Sequence, residues 1–183
     1  MVSSKFFKDE TKQAQYYVAE VREQLSHLAT RNAGGPMDAG EGRALCAFFE
    51  ELDMDKLKKG MDSFGLSEPK GKPLDDIMRV TRGVPKDHKK FIEFMQENGF
   101  KCEDHSGGGS HRKYRNERDP KQYISYSGHM KLGTTGQKCA TAMQMFMLSH
   151  YAKDLRETLS HAPKRLARTM RQGIKQDRKQ LYR

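Results

Sequence analysis

Three consecutive residues, Gly109-Ser110-His111, are the most concentrated opportunity for chemistry in the chain. A histidine titrates near neutrality, so His111 is suited to take up or release a proton at physiological pH. The Ser110 hydroxyl and the backbone N–H groups of Gly108 and Gly109 suit a nest-like loop that holds a phosphate oxygen. Arg112, Lys113 and Arg115 follow at once and supply positive charge. A metal-free ribonuclease needs these parts: an acceptor for the proton of a ribose 2′-OH, a donor for the leaving oxygen, and cations beside the phosphate. Ser110, His111 and Asp119 do not make a nucleophilic triad, because neighbours on a strand point to opposite faces. Cys102, His105 and His129 match no metal-ligand spacing, so neither a metal nor a cofactor is expected.

The elements around this run must position it. Asp87 can cap a helix over 87–97, with Phe91, Ile92 and Met95 facing inward and Asn98-Gly99 as its stop. Residues 100–103, 111–115 and 122–126 alternate like strands, and residues 116–120 read as a turn. Alternation places His111, Lys113 and Arg115 on one face of their strand and Arg112 and Tyr114 on the other. It also separates Tyr123 and Ser125 from Ile124 and Tyr126. The face holding His111 is wholly polar, so it is expected to be the open face of the sheet. A helix with apolar Cys139, Ala140, Met143, Phe146 and Met147 should start near 135 and end near 160, before Pro163. Helix, three strands, helix implies an antiparallel meander with both helices on one face, an α+β sandwich over residues 85–150.

Residues 1–84 read as a helical region. Ala14, Val18, Val21, Leu25 and Leu28 form an apolar seam within a helix over 9–31, which can pack on neighbouring helices or form a homodimer. Further helices are expected over 38–52 and 54–63, with a short one from Leu74 toward Gly83. Residues 151–183 read as a basic helical extension. In it Arg168, Arg171, Lys175 and Arg178 make a stripe at helical spacing, a candidate line of phosphate contacts. Leu166, Met170, Ile174 and Leu181 give it too thin an apolar face for a membrane helix.

The charge agrees with this division. Residues 1–85 hold 13 Lys and Arg against 14 Asp and Glu, whereas residues 86–183 hold 21 against 10. The net charge of +10 therefore belongs to the C-terminal half and points to a polyanion, nucleic acid ahead of anionic lipid. Cys46, Cys102 and Cys139 are few, scattered and odd in number, which suits reduced thiols and a cytoplasmic location. The first residues do not read as a signal peptide, and no apolar run is long enough to span a membrane.

The run from His88 to Phe100, then Gly109-Ser110-His111, then Ser127-Gly128-His129, then Leu132-Gly133-Thr134-Thr135, resembles the HicA family of small RNA-cleaving toxins. The resemblance covers about residues 86–150. It implies a double-stranded-RNA-binding-domain-like (dsRBD-like) sandwich, a catalytic role for His111 and a second candidate in His129, which otherwise reads as a loop or helix-entry histidine. It also places Lys86, Lys89 and Lys90 near the phosphate backbone, with Lys131 a further RNA contact, and suggests an antitoxin-like protein partner. Three classes of function follow: a metal-independent endoribonuclease using His111; a non-catalytic binder of structured RNA or of DNA; and a phage or mobile-element protein whose sandwich is an interaction or inhibitor module. The intact Gly-Ser-His favours the first, and the helical extensions at both ends favour the others.

Overall fold

A computed structural model describes residues 9–30, 39–103, 111–127 and 132–163. These residues form six helices and a three-stranded antiparallel sheet, an α+β protein. The chain divides into two compact units, residues 1–71 with 151–183, and residues 72–150. No described helix is long and apolar enough to cross a membrane.

The first unit is helical. It contains α1 (Glu10–Thr30), α2 (Ala39–Glu50), α3 (Met54–Asp62) and the last turns of α6 (Leu132–Ser160). The α1 helix starts where the Asp9 carboxylate accepts the N–H groups of Thr11 and Lys12 at 3.1 and 3.3 Å. The α1 seam is used inside this unit: Ala14, Val18, Val21 and Leu25 are buried together with Leu45, Phe49, Leu57, Met61, Leu155 and Leu159. Of the two uses open to the seam, packing on neighbouring helices is the one observed. A β-carbon on Gly60 of α3 would lie 2.3 Å from the Ala14 carbonyl oxygen, so only glycine permits the closeness of α1 and α3. Asp53 caps α3 by accepting the Lys56 N–H at 3.0 Å, while its own N–H donates to the Tyr17 hydroxyl at 2.8 Å. Arg22 donates to the Ala162 carbonyl at 2.9 Å, satisfying one oxygen just past the end of α6.

The second unit holds α4 (Leu74–Arg79), α5 (His88–Glu97), β1 (Phe100–Cys102), β2 (His111–Asn116), β3 (Asp119–Ser127) and the first turns of α6. Strand order is β1-β2-β3, with Cys102 opposite Tyr114, and Tyr114 opposite Ile124. Phe91 and Met95 of α5, Phe100, Tyr114, Ile124 and Tyr126 of the sheet, and Leu132, Cys139 and Met143 of α6 make one apolar core. Both helices therefore cover the same face of the sheet. Asp87 caps α5 through the Lys90 N–H at 3.0 Å. Gln144, buried in α6, donates to the carbonyls of Ile77 and Met78 at 3.2 and 3.0 Å, tying the end of the short α4 to α6.

Two boundaries differ from the sequence reading for physical reasons. The turn between β2 and β3 is only residues 117–118, and Pro120 lies inside β3. Pro120 has no N–H to donate, but β3 is an edge strand, and a register irregularity at Arg115/Asn116 loosens the pairing there. The last helix begins at Leu132, not near 135. Gly133 to Gly136 looks like a break in sequence, yet a β-carbon on Gly136 would meet Leu132 at 3.2 Å, Val84 at 3.4 Å and Phe91 at 3.7 Å. Glycine there admits a close approach between helix and core.

Candidate nucleic-acid interface

The alternation of β2 and β3 separates two surfaces. Tyr114, Ile124 and Tyr126 point under the helices and are buried. His111 stands exposed at the start of β2, opposite Ser127; Lys113 is opposite Ser125, and Arg115 opposite Tyr123. Lys101 of β1, opposite Arg115, and Lys121 of β3 are exposed as well. Tyr123 is 46% exposed and is the one large hydrophobic side chain so exposed among the described residues. The Lys113 ammonium lies 5.0 Å from the Tyr123 ring centroid and the Arg115 guanidinium 5.8 Å from it. Cations at this range are held by the ring quadrupole.

Arg115 is also held by polar groups. Its Nε donates to the Glu103 carboxylate at 2.8 Å and its Nη1 to the Pro120 carbonyl at 2.7 Å. The hydrogen bond to Glu103 raises the guanidinium further above its ordinary value, with the attraction between the two charges adding to it. Arg115 is thus a positioned cation whose charge is shared with Glu103. Its fixed fork sets the place of Tyr123 more than it reaches for a distant phosphate.

Of the other candidate cations, the described ones lie on a different side of the sandwich. Lys86, Lys89 and Lys90 are exposed at the start of α5, the helix that covers the opposite face. Arg112 shares the parity of the covered face, opposite Tyr126, but lies at the strand end and is exposed. Tyr126 is hydrogen-bonded to His88 Nδ1, and their rings are 6.0 Å apart. Burial pushes the Tyr126 hydroxyl above its ordinary value, with Cys139 and Asp87 adding to the shift, so the phenol stays protonated and can donate to the imidazole. The structure therefore groups Lys113, Arg115 and His111 on the open face, and Arg112 with the α5 terminus and the His88–Tyr126 pair.

Sequence reasoning did not single out Tyr123, Lys121 or His88 as site residues. The parity of Tyr123 was legible, but its cationic neighbours come from another strand. Ser110, Gly108, Gly109, His129, Lys131, Arg168, Arg171 and Lys175 lie outside the described residues. Among the described residues no group of three or more His, Cys, Asp and Glu is placed to hold a metal ion.

No family model matches the chain, and no curated protein or solved structure matches it.

Proposed function

We propose that residues 72–150 form an RNA-binding unit that works as a HicA-like, metal-independent endoribonuclease with His111 as its proton-transfer group. The observation that carries this reading is the exposure of His111 at the start of β2, on the strand face turned away from α5 and α6 and shared with Lys113 and Arg115. The order α5-β1-β2-β3-α6, with both helices on one face, supports a dsRBD-like sandwich. The excess of basic residues after position 85 supports a polyanionic substrate.

In this reading neutral His111 takes the proton of a ribose 2′-OH. The 2′-oxygen attacks the adjacent phosphorus, the bond to the 5′-oxygen breaks, and that oxygen leaves with a proton from a second donor. The products are a 2′,3′-cyclic phosphate and a 5′-hydroxyl. The sequence candidate for the donor is His129, while the Ser110 hydroxyl holds a phosphate oxygen. Lys113 offsets charge that builds on the phosphate. The family likeness carries with it a protein partner that restrains the nuclease, and the three scattered cysteines suit a cytoplasmic location.

Labelled RNA incubated with the protein in EDTA tests the proposal. The expected result is cleavage that falls by about 10²- to 10⁴-fold in His111→Ala, the usual weight of one general acid–base group. The variant should unfold at the same urea concentration as the parent, since an exposed strand side chain contributes little to stability. Equal cleavage by parent and variant would remove His111 from the mechanism.

A second reading, non-catalytic RNA binding, is favoured by the pairing of Tyr123 with Lys113 and Arg115, which is an arrangement for gripping. Salt-sensitive binding without cleavage is its signature. Neither binding nor cleavage would point instead to a protein partner.

A further inference from the structure

We infer that the open sheet face takes an unpaired RNA segment, one base of which stacks on Tyr123. The inference rests on the reading that this face engages RNA, and it narrows the substrate to single-stranded RNA.

Three features of the face lead there. First, Tyr123 presents a flat apolar ring in a surface otherwise made of His111, Lys113, Arg115, Lys121 and Ser125. A base inside a duplex is covered above and below by its neighbours, so a ring fixed on a sheet can meet only a base that has left the stack. Every base has a π-face, so such a contact selects strandedness more than sequence.

Second, the ring carries its own cations. Arg115 is tied to Glu103 and the Pro120 carbonyl and stays over the ring, 5.8 Å from its centroid. Lys113, 5.0 Å from the centroid, sits on a flexible stem and can move from the ring to a phosphate when a base arrives. A stacking surface and a phosphate contact one strand apart are the two parts that single-strand binding requires.

Third, the spacing separates grip from chemistry. The Arg115–Tyr123 row lies four residues along β2 from the His111–Ser127 row, about 13 Å at the rise of a strand. Stacked nucleotides advance roughly 3.4 Å each. The base on Tyr123 and the phosphodiester at His111 therefore belong to different nucleotides. Tyr123 is a positioning residue: it sets where along the strand His111 acts and takes no part in proton transfer.

The test is an anisotropy titration of the full chain with a labelled 2′-O-methyl oligonucleotide, which lacks the 2′-OH nucleophile and cannot be cut by this route. The same sequence folded into a hairpin duplex is titrated alongside. The expected result is tighter binding of the single strand. Tyr123→Ala should weaken single-strand binding about tenfold and leave duplex binding unchanged, while Tyr123→Phe keeps the parent affinity. On cleavable RNA, Tyr123→Ala should raise KM with kcat largely kept. Duplex binding equal to or tighter than single-strand binding would overturn the inference while leaving RNA engagement standing. So would Tyr123→Ala binding the single strand as the parent does. Failure to bind either RNA would overturn both.

Discussion

Successive residues of β2 belong to two different environments. Tyr114 is 1% exposed beneath α5 and α6, whereas His111 and Lys113 lie on the face left clear of those helices. Across the strand pair the same split sets Ile124 and Tyr126 against Tyr123 and Ser125. The covered face is a set of interlocking rings: Phe91 to Tyr126 at 5.0 Å, Tyr114 to Tyr126 at 6.3 Å, Phe100 to Phe146 at 6.2 Å. The open face is held by contacts of another kind, the Arg115–Glu103 pair, the Lys101–Glu117 pair and the cations at Tyr123. Of these, the Lys101–Glu117 pair is exposed and adds little to stability, whereas Arg115–Glu103 is half-buried. One face can therefore hold the unit together while the other is free to vary.

The largest effect that checks this contrast is on stability. Phe100 is fully buried in β1. Phe100→Ala should cost about 3–5 kcal/mol, read from urea unfolding, because the site loses a ring and keeps part of the cavity. Lys113→Ala and Tyr123→Ala, on the other face, should stay within about 0.5 kcal/mol of the parent. Comparable losses on both faces would show that the open face is structural.

How far the sequence reveals each face depends on the range of the signal. The period of two in β2 and β3 is local and rigid, so the inward Tyr114, Ile124 and Tyr126 and the outward His111 could be read from the chain alone. The 3–4 spacing of Ala14, Val18, Val21 and Leu25 was legible for the same reason. What could not be read depends on which strand residues stand opposite each other. Glu103 meets Arg115, and Lys113 meets Tyr123, only after the strands are in register. The His88–Tyr126 bond likewise joins the start of α5 to the end of β3. The start of α6 was read about three residues late: Gly133 lies inside the helix, and Gly136 admits it against Val84 and Phe91. The Gly-Ser-His run was the clearest signal in the sequence, and of its three residues His111 is the one whose placement is described.

A smaller effect sharpens the open face itself. Lys113→Ala should make the log–log dependence of single-strand affinity on salt shallower by about 0.7, the weight of one phosphate contact. Arg115→Ala should change that slope less, because its charge is already shared with Glu103, and should weaken binding mainly by freeing Tyr123. Titrations at several salt concentrations separate the two. Equal slope changes would mean that both cations meet phosphate.

The smallest effect belongs to the covered side, at the cap of α5. Asp87 accepts the backbone N–H of Lys90, and this bond, aided by the Lys89 N–H and the charges of Lys90 and His88, holds its carboxyl below the ordinary value of 3.8. Tyr126, packed against His88 from β3, also faces this terminus; its hydroxyl is shifted upward and stays neutral throughout the acid range. A carboxyl with a lowered folded pKa gives stability that is fully present above the ordinary value and is lost as pH falls through the folded value. Asparagine caps a helix about as well as aspartate but does not titrate. Asp87→Asn should therefore match the parent in urea near neutral pH and lose less stability below about pH 4. Parallel acid limbs in parent and variant would show that the cap is not what ties α5, and with it the covered face, to pH.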